Sequence, residues 1–406
     1  MLLLDGRGML SASPHLDRRH PSLRRPSMTD TTIPPAHVGV GTATEREISQ
    51  QPDVWRETGR MVAGLRTEIE AFLAPLLAEP DLRIVLTGAG TSAFVGEVAA
   101  PALARRLRRR VDAVATTDLV SDPLSRLAED VPTLLVSFAR SGNSPESLGA
   151  TDLADRVLSD VHHLVITCDP VGQLYTAHEG RARSRNLVTP RRANDEGFAM
   201  TSSFSSMLLT ALLVFLGDDE ALVEALATAG EQVLEARDRV QRLVERDPAR
   251  IVYLGSGSLT GLARESALKV LEVTAGRVDT YFDSSLGFRH GPKAVLDDRT
   301  LAVVYGSNDP YIRRYDDDMT RELRAALGGA SVQALSAGRT APAADFGIDG
   351  VEGVDDAFLA LPFAVFAQLI ALHASVRAGV PTDNPFPGGA VNRVVQGVTI
   401  HPLEGR

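Results

Sequence analysis

One strand-and-turn passage occurs twice in this chain. Ile84-Val85-Leu86-Thr87-Gly88-Ala89-Gly90-Thr91-Ser92 returns as Ile251-Val252-Tyr253-Leu254-Gly255-Ser256-Gly257-Ser258. Each copy runs into a helical segment, residues 93–107 and 262–274. Each then meets a second apolar strand ending in a polar turn, 131–137 and 301–307. A short apolar run closed by glycine and hydroxyl residues is a buried parallel strand feeding a helix. Strands alternating with helices at this spacing give parallel sheets with helices on both faces. The expected fold is therefore α/β, with two homologous doubly wound, flavodoxin-like parallel-sheet domains. The first covers 44–220 with a leading helical segment at 44–73. The second covers 221–375 and is entered through a helical stretch at 220–245. Residues 376–406 form a tail whose Thr382-Asp383-Asn384-Pro385-Phe386-Pro387-Gly388-Gly389 passage is turn-rich and expected to fold over a site. Residues 1–43 lack sustained periodicity and read as a disordered extension, or as the product of an upstream start with initiation at Met28.

Where a strand ends and a helix begins, unpaired N–H groups, the helix dipole and nearby hydroxyls suit a phosphate. The first half has two such turns. One carries Gly90, Thr91 and Ser92; the other is Ala139-Arg140-Ser141-Gly142-Asn143-Ser144-Pro145-Glu146. In the latter, Ser144, Pro145 and Glu146 make a good helix start, and Arg140, Ser141 and Asn143 bring donors beyond the cap. The second half keeps Ser256 and Ser258, but its second turn reads Gly306-Ser307-Asn308-Asp309-Pro310, and Asp309 repels a phosphate. The phosphate is thus expected in the first half, leaving the second for chemistry.

Three further constellations stand out. Glu265, Lys269 and Glu272 share one helix face by their spacing. The pattern is either a solvated salt-bridged stripe or a general base tuned by its lysine. His290, in Phe288-Arg289-His290-Gly291-Pro292-Lys293, is the acid/base candidate among nine histidines. The hydroxyls Ser202 and Ser203, after Asn194-Asp195-Glu196-Gly197, exceed what one helix cap uses and suggest sugar or phosphate contacts. A dinucleotide reading of Gly88-Ala89-Gly90-Thr91-Ser92-Ala93 would recast Arg108, Arg109 and Arg110 as a 2′-phosphate clamp. A net charge of −10 argues against nucleic acid, and no run reaches the length of a membrane span. The single cysteine, Cys168, excludes an internal disulfide, a cysteine zinc cluster and a CxxC pair, and suits a reducing cytoplasm.

Together these residues resemble the tandem sugar isomerase (SIS) domain proteins, and more closely the AgaS family of tagatose-6-phosphate ketose/aldose isomerases and galactosamine-6-phosphate deaminases. The most specific stretches are 194–207, 288–293 and the tail from Asp383 through Val398. The related isomerase half of glucosamine-6-phosphate synthase implies roles. Thr91, Ser92, Ser141 and Ser144 would hold the 6-phosphate. Glu272, supported by Glu265 and Lys269, would move a proton between C1 and C2. His290 would assist ring opening from a neighbouring subunit, which implies at least a homodimer. Three departures accompany the resemblance: a longer interval from Glu272 to His290, Ala139 in place of a hydroxyl, and Gln396 where the synthase has a lysine. The implied activity converts a hexosamine 6-phosphate, galactosamine 6-phosphate foremost, into a ketohexose 6-phosphate and ammonia. The alternatives are aldose–ketose isomerisation without deamination and a non-catalytic sugar-phosphate sensor. No metal and no redox cofactor is required, and the expected partner is a small sugar phosphate.

Overall fold

Among the described residues, ten strands form two five-stranded parallel sheets. The first contains β1 (Arg83–Thr87), β2 (Val111–Ala113), β3 (Thr133–Ala139), β4 (Val161–Thr167) and β5 (Ser184–Val188), in the order β2-β1-β3-β4-β5. The second contains β6 (Arg250–Leu254), β7 (Asp279–Asp283), β8 (Thr300–Tyr305), β9 (Val332–Ala337) and β10 (Phe346–Ile348), in the order β10-β9-β8-β6-β7. Renumbered within its own half, the second order is the first one reversed on the page, so the two sheets share one doubly wound topology. Their central strands are mostly apolar, and every residue of β1, β3 and β8 is buried. That is what a parallel sheet covered on both faces requires.

This computed structural model describes residues 42–217, 219–338, 345–395 and 397–404, all inside one compact unit, Ala36–Arg406. Most of the expected N-terminal extension, and Gln396, lie outside the described residues. Its last two positions belong to ordered structure instead. Thr42 caps the helix Ala43–Ser49, and the tail carboxylate of Asp383 accepts from the N–H groups of Ala43 (2.8 Å) and Thr44 (2.9 Å).

The core lies between the sheets. The helix Thr91–Leu107 follows β1, and Ser258–Val273 follows β6; they cross each other, with Arg264 paired to Glu97 and stacked on Phe94. Gly261 permits that crossing, since a Cβ there would meet the backbone of Glu97 and Val98 at 2.8 Å. The apolar helices Ser202–Leu216 and Asp356–Arg377 complete the layer. The latter is long and apolar enough to cross a membrane, but 94% of its apolar window is buried in the protein, as a core helix would be. The leading segment is three helices, Ala43–Ser49, Gln51–Gly64 and Arg66–Ala78.

Candidate active site

In a doubly wound sheet the ligand crevice opens at the carboxyl ends of the strands where the order reverses, here between β1 and β3. The turns leaving those strands are the two predicted from sequence. The first depends on glycine twice. Gly90 adopts φ 55°, ψ −128°, a conformation side chains resist, and a Cβ on Gly88 would lie 2.6 Å from the backbone of Ser92. In the second, Ser144 caps the helix Pro145–Val157 and its hydroxyl meets that of Ser147 at 2.7 Å. A cleft of about 110 Å³ lies between the turns, lined by Ser92, Arg140, Ser141, Ser144, Ser147 and Met200 and covered by the tail at Arg393, Val394 and Val395.

Arg140 supplies the charge. It is 7% exposed, and its guanidinium donates to the carbonyls of Phe198 (3.4 Å) and Arg393 (3.0 Å). Burial, and then the nearby Arg393 cation, lower its pKa against the pull of Asp195 and Glu272.

The E-x-x-x-K-x-x-E helix reaches this turn from the other half. Lys269 Nζ donates to Thr91 Oγ1 at 2.8 Å and to Glu272 at 2.6 Å, and lies 3.5 Å from Glu265. Side-chain exposure is 2% for Glu265 and Lys269 but 26% for Glu272. That disposes of the solvated-stripe alternative and leaves Glu272 as the more accessible of the two carboxylates. Burial pushes the Glu265 carboxyl up to about 8, against the pull of Lys269. Burial opposes the Lys269 charge as well, yet Glu265 and Glu272 outweigh it and hold its pKa above the ordinary lysine value. Near neutrality Glu265 keeps its proton, and Lys269 directs one donor to Glu272 and another to the glycine turn.

Not every predicted residue arrives in the cleft. Thr91 is committed to Lys269, so its hydroxyl links the two halves. Asn143 is exposed, and its side-chain oxygen accepts from Gln173 N at 3.0 Å, bracing the loop. Ser202 and Ser203 require a correction: both are fully buried. The Ser202 hydroxyl donates to Glu47 O at 2.6 Å, and that of Ser203 donates to Asp195. Asp195 also accepts from the N–H groups of Thr201, Ser202 and Ser203. Ser205 bonds Gln51 and Trp55, and Ser206 bonds Thr58. The hydroxyl cluster stitches the leading helices to the core rather than touching a sugar. His290 is exposed on the short turn after β7, while its neighbours Arg289 and Lys293 are both held by Glu322. The dinucleotide reading loses its clamp: Arg109 donates to the carbonyls of Leu77 and Glu79, and Arg110 pairs with Asp112 and Glu129.

Sequence reasoning missed Ser147 and Arg393. The first lies three residues beyond a recognised cap, on the same helix face. The second lies within the tail stretch that carries the resemblance, but its own place in the cleft depends on where the tail lands.

At the second switch point, between β6 and β8, Gly257 repeats the Gly90 backbone at φ 59°, ψ −127°. Here the buried Asp316 carboxylate accepts from Ser256 (2.7 Å), Ser285 (2.5 Å) and Ser307 N (3.1 Å), and Asp309 caps the helix Pro310–Leu327. An anion of the chain already takes the donors that an external phosphate would use.

Twin doubly wound sheets with a hydroxyl-lined glycine turn at the first switch point define a SIS-domain protein, and residues 76–217 match the SIS domain. A protein named AgaS from Streptomyces coelicolor is 59% identical over 92% of this chain and 99% of its own length. The D-galactosamine-6-phosphate deaminase AgaS of Shewanella sp. strain ANA-3 is 43% identical over 89% of this chain and 92% of its own. The crystal structure of tagatose-6-phosphate ketose/aldose isomerase from Escherichia coli matches with a TM-score of 0.80 at 40% identity, covering 89% of this chain and 97% of that one. The chain belongs to the AgaS family.

Proposed function

We infer that this protein is an amino-sugar-phosphate deaminase and isomerase, converting galactosamine 6-phosphate and water into tagatose 6-phosphate and ammonia. One observation carries the assignment beyond family membership. Lys269 joins Glu272 to Thr91, so a proton-transfer carboxylate stands beside the phosphate turn although the two come from different sheets.

In this reading the 6-phosphate sits among Ser92, Ser141, Ser144 and the N–H groups of the two helix starts, with Arg140 balancing its charge. His290, brought by a neighbouring subunit of at least a homodimer, assists opening of the ring. Glu272 takes the proton from C2 of the open-chain aldehyde and returns it to C1, while O1 gains a proton. The enolamine collapses to a C2 imine, water adds to C2, and ammonia leaves as the ketone forms. A well-placed base contributes about 10²- to 10⁴-fold, and orientation of the open chain supplies more. Glu265, neutral and buried, acts through Lys269. The reaction suits a cytoplasmic enzyme of amino sugar breakdown.

The test measures ammonia and ketose 6-phosphate from galactosamine 6-phosphate, with glucosamine 6-phosphate alongside. Wild type should release both products in equal amounts, and Glu272→Gln should lose at least a hundredfold in kcat while still binding substrate. Ketose formed from a neutral aldose phosphate, with no ammonia from either amino sugar, would replace deamination by plain isomerisation. Binding without any turnover would leave the sensor alternative.

A further inference from the structure

The tail carries a cation that the assigned roles do not use. Arg393 lines the cleft opposite the serines and lies close enough to Arg140 to depress that group's pKa, second only to burial. Arg140 spends its hydrogen bonds on two carbonyl oxygens, not on a carboxylate, and among the described residues Arg393 has no ion pair. Asp195 and Glu272 offset part of the Arg140 charge from a distance, but neither bonds its guanidinium, and the exposed Arg393 adds a second cation on the same cleft, so the two cations repel each other. A dianion between them removes that cost and gains charge-assisted hydrogen bonds of the geometry that arginine provides and lysine does not.

The tail that carries Arg393 is anchored on both sides of it. Upstream, Asp383 caps the first helix, and Phe386 packs against Phe198 with ring centroids 5.4 Å apart. Downstream, Ile400 would lie 3.2 Å from a Cβ on Gly149, and Leu403 packs on the apolar cluster containing Ala150 and Leu119. Between these anchors Arg393, Val394 and Val395 line the cleft.

We propose that Arg393 is a phosphate-reading residue supplied by the tail, forming with Arg140 a two-guanidinium clamp that selects phosphorylated over neutral sugars. The inference rests on the assignment of the cleft as the phosphate site. Its consequence is that the tail closes on the charged end of the substrate, while the reacting carbons face Glu272.

A hexitol 6-phosphate, which has no carbonyl to react, separates binding from chemistry. Titrated calorimetrically into the full chain, it should bind wild type and Glu272→Gln alike. It should bind Arg393→Gln about tenfold to a hundredfold more weakly, the range for losing a hydrogen bond to a charged group. Arg393→Lys should recover part of the loss, and the salt dependence of Kd should become shallower in Arg393→Gln. In turnover, Arg393→Gln should raise KM with little change in kcat. Equal affinity in wild type and Arg393→Gln overturns the clamp and leaves the cleft assignment standing. Failure of wild type to prefer the phosphorylated hexitol over the neutral hexitol overturns both. Urea midpoints of the two Arg393 variants, expected to match wild type, guard against a loss that is merely structural.

Discussion

Glu47→Gln isolates one ionisation and turns it into a pH profile. Glu47 is 6% exposed on the helix Ala43–Ser49 and accepts from the N–H groups of Glu196 and Gly197. Burial, and then the Asp195 charge, raise its pKa from 4.5 to about 7. At 1.36 kcal/mol per pKa unit, ionising it in the folded state costs about 3 kcal/mol relative to the unfolded chain. Below pH 4.5 the carboxyl is neutral in both states and contributes no difference. Between pH 4.5 and 7 the unfolded chain gives up this proton while the folded chain retains it, so stability falls as pH rises. Above about pH 7 that loss is complete. Glutamine cannot ionise, and its carbonyl still accepts from Gly197. The stability of the variant minus that of wild type should therefore climb by about 3 kcal/mol from pH 4.5 to 7.5 and be flat on either side. Urea unfolding at half-unit pH steps measures this, followed by the fluorescence of Trp55, the only tryptophan and fully buried. Glu265 also titrates high, but it does so in both proteins and cancels. A difference that stays constant across the window would refute the assignment of this proton to Glu47.

Three other substitutions test the rest of the frame. Asp195→Ala strips the acceptor from three buried N–H groups and should cost about 3–5 kcal/mol in urea unfolding; a cost under about 1 kcal/mol would contradict the capping role. Gly90→Ala and Gly257→Ala should each lose about 1–3 kcal/mol from the same strained backbone, but only Gly90→Ala should raise KM. Lys269→Met should abolish most turnover and destabilise by about 3 kcal/mol at pH 8, and by less at pH 6, where Glu265 holds its proton more fully.

The sheets were legible because their signals are local. Apolar runs such as 84–87 and 134–136, each closed by a glycine or hydroxyl turn, state both the strand and the helix that follows. The repeat then implies that whatever topology one half adopts, the other adopts also, and the shared strand order agrees. Boundaries were less certain: the second repeat helix begins at Ser258, a turn earlier than its apolar spacing suggests, because Gly257 already starts it. At the site, spacing put Glu265, Lys269 and Glu272 on one face but could not tell water from core on that side. Burial settled it through a long-range contact with Thr91. Ser202 and Ser203 misled for the same reason in reverse: a hydroxyl run looks alike whether it faces a sugar or a buried aspartate. Arg393 was unreadable because its significance depends on a chain crossing far from its own segment.

The bond from Lys269 to Thr91 makes the proposed reactive centre a seam. Neither sheet holds both the proposed phosphate cradle and the proposed proton-transfer carboxylate, so on that reading severing the chain near residue 218 would yield two inert pieces. Turnover would return only when those pieces docked in register, to within a hydrogen bond's tolerance. Catalysis would then serve as a gauge of how faithfully the two halves of a duplicated chain still recognise each other.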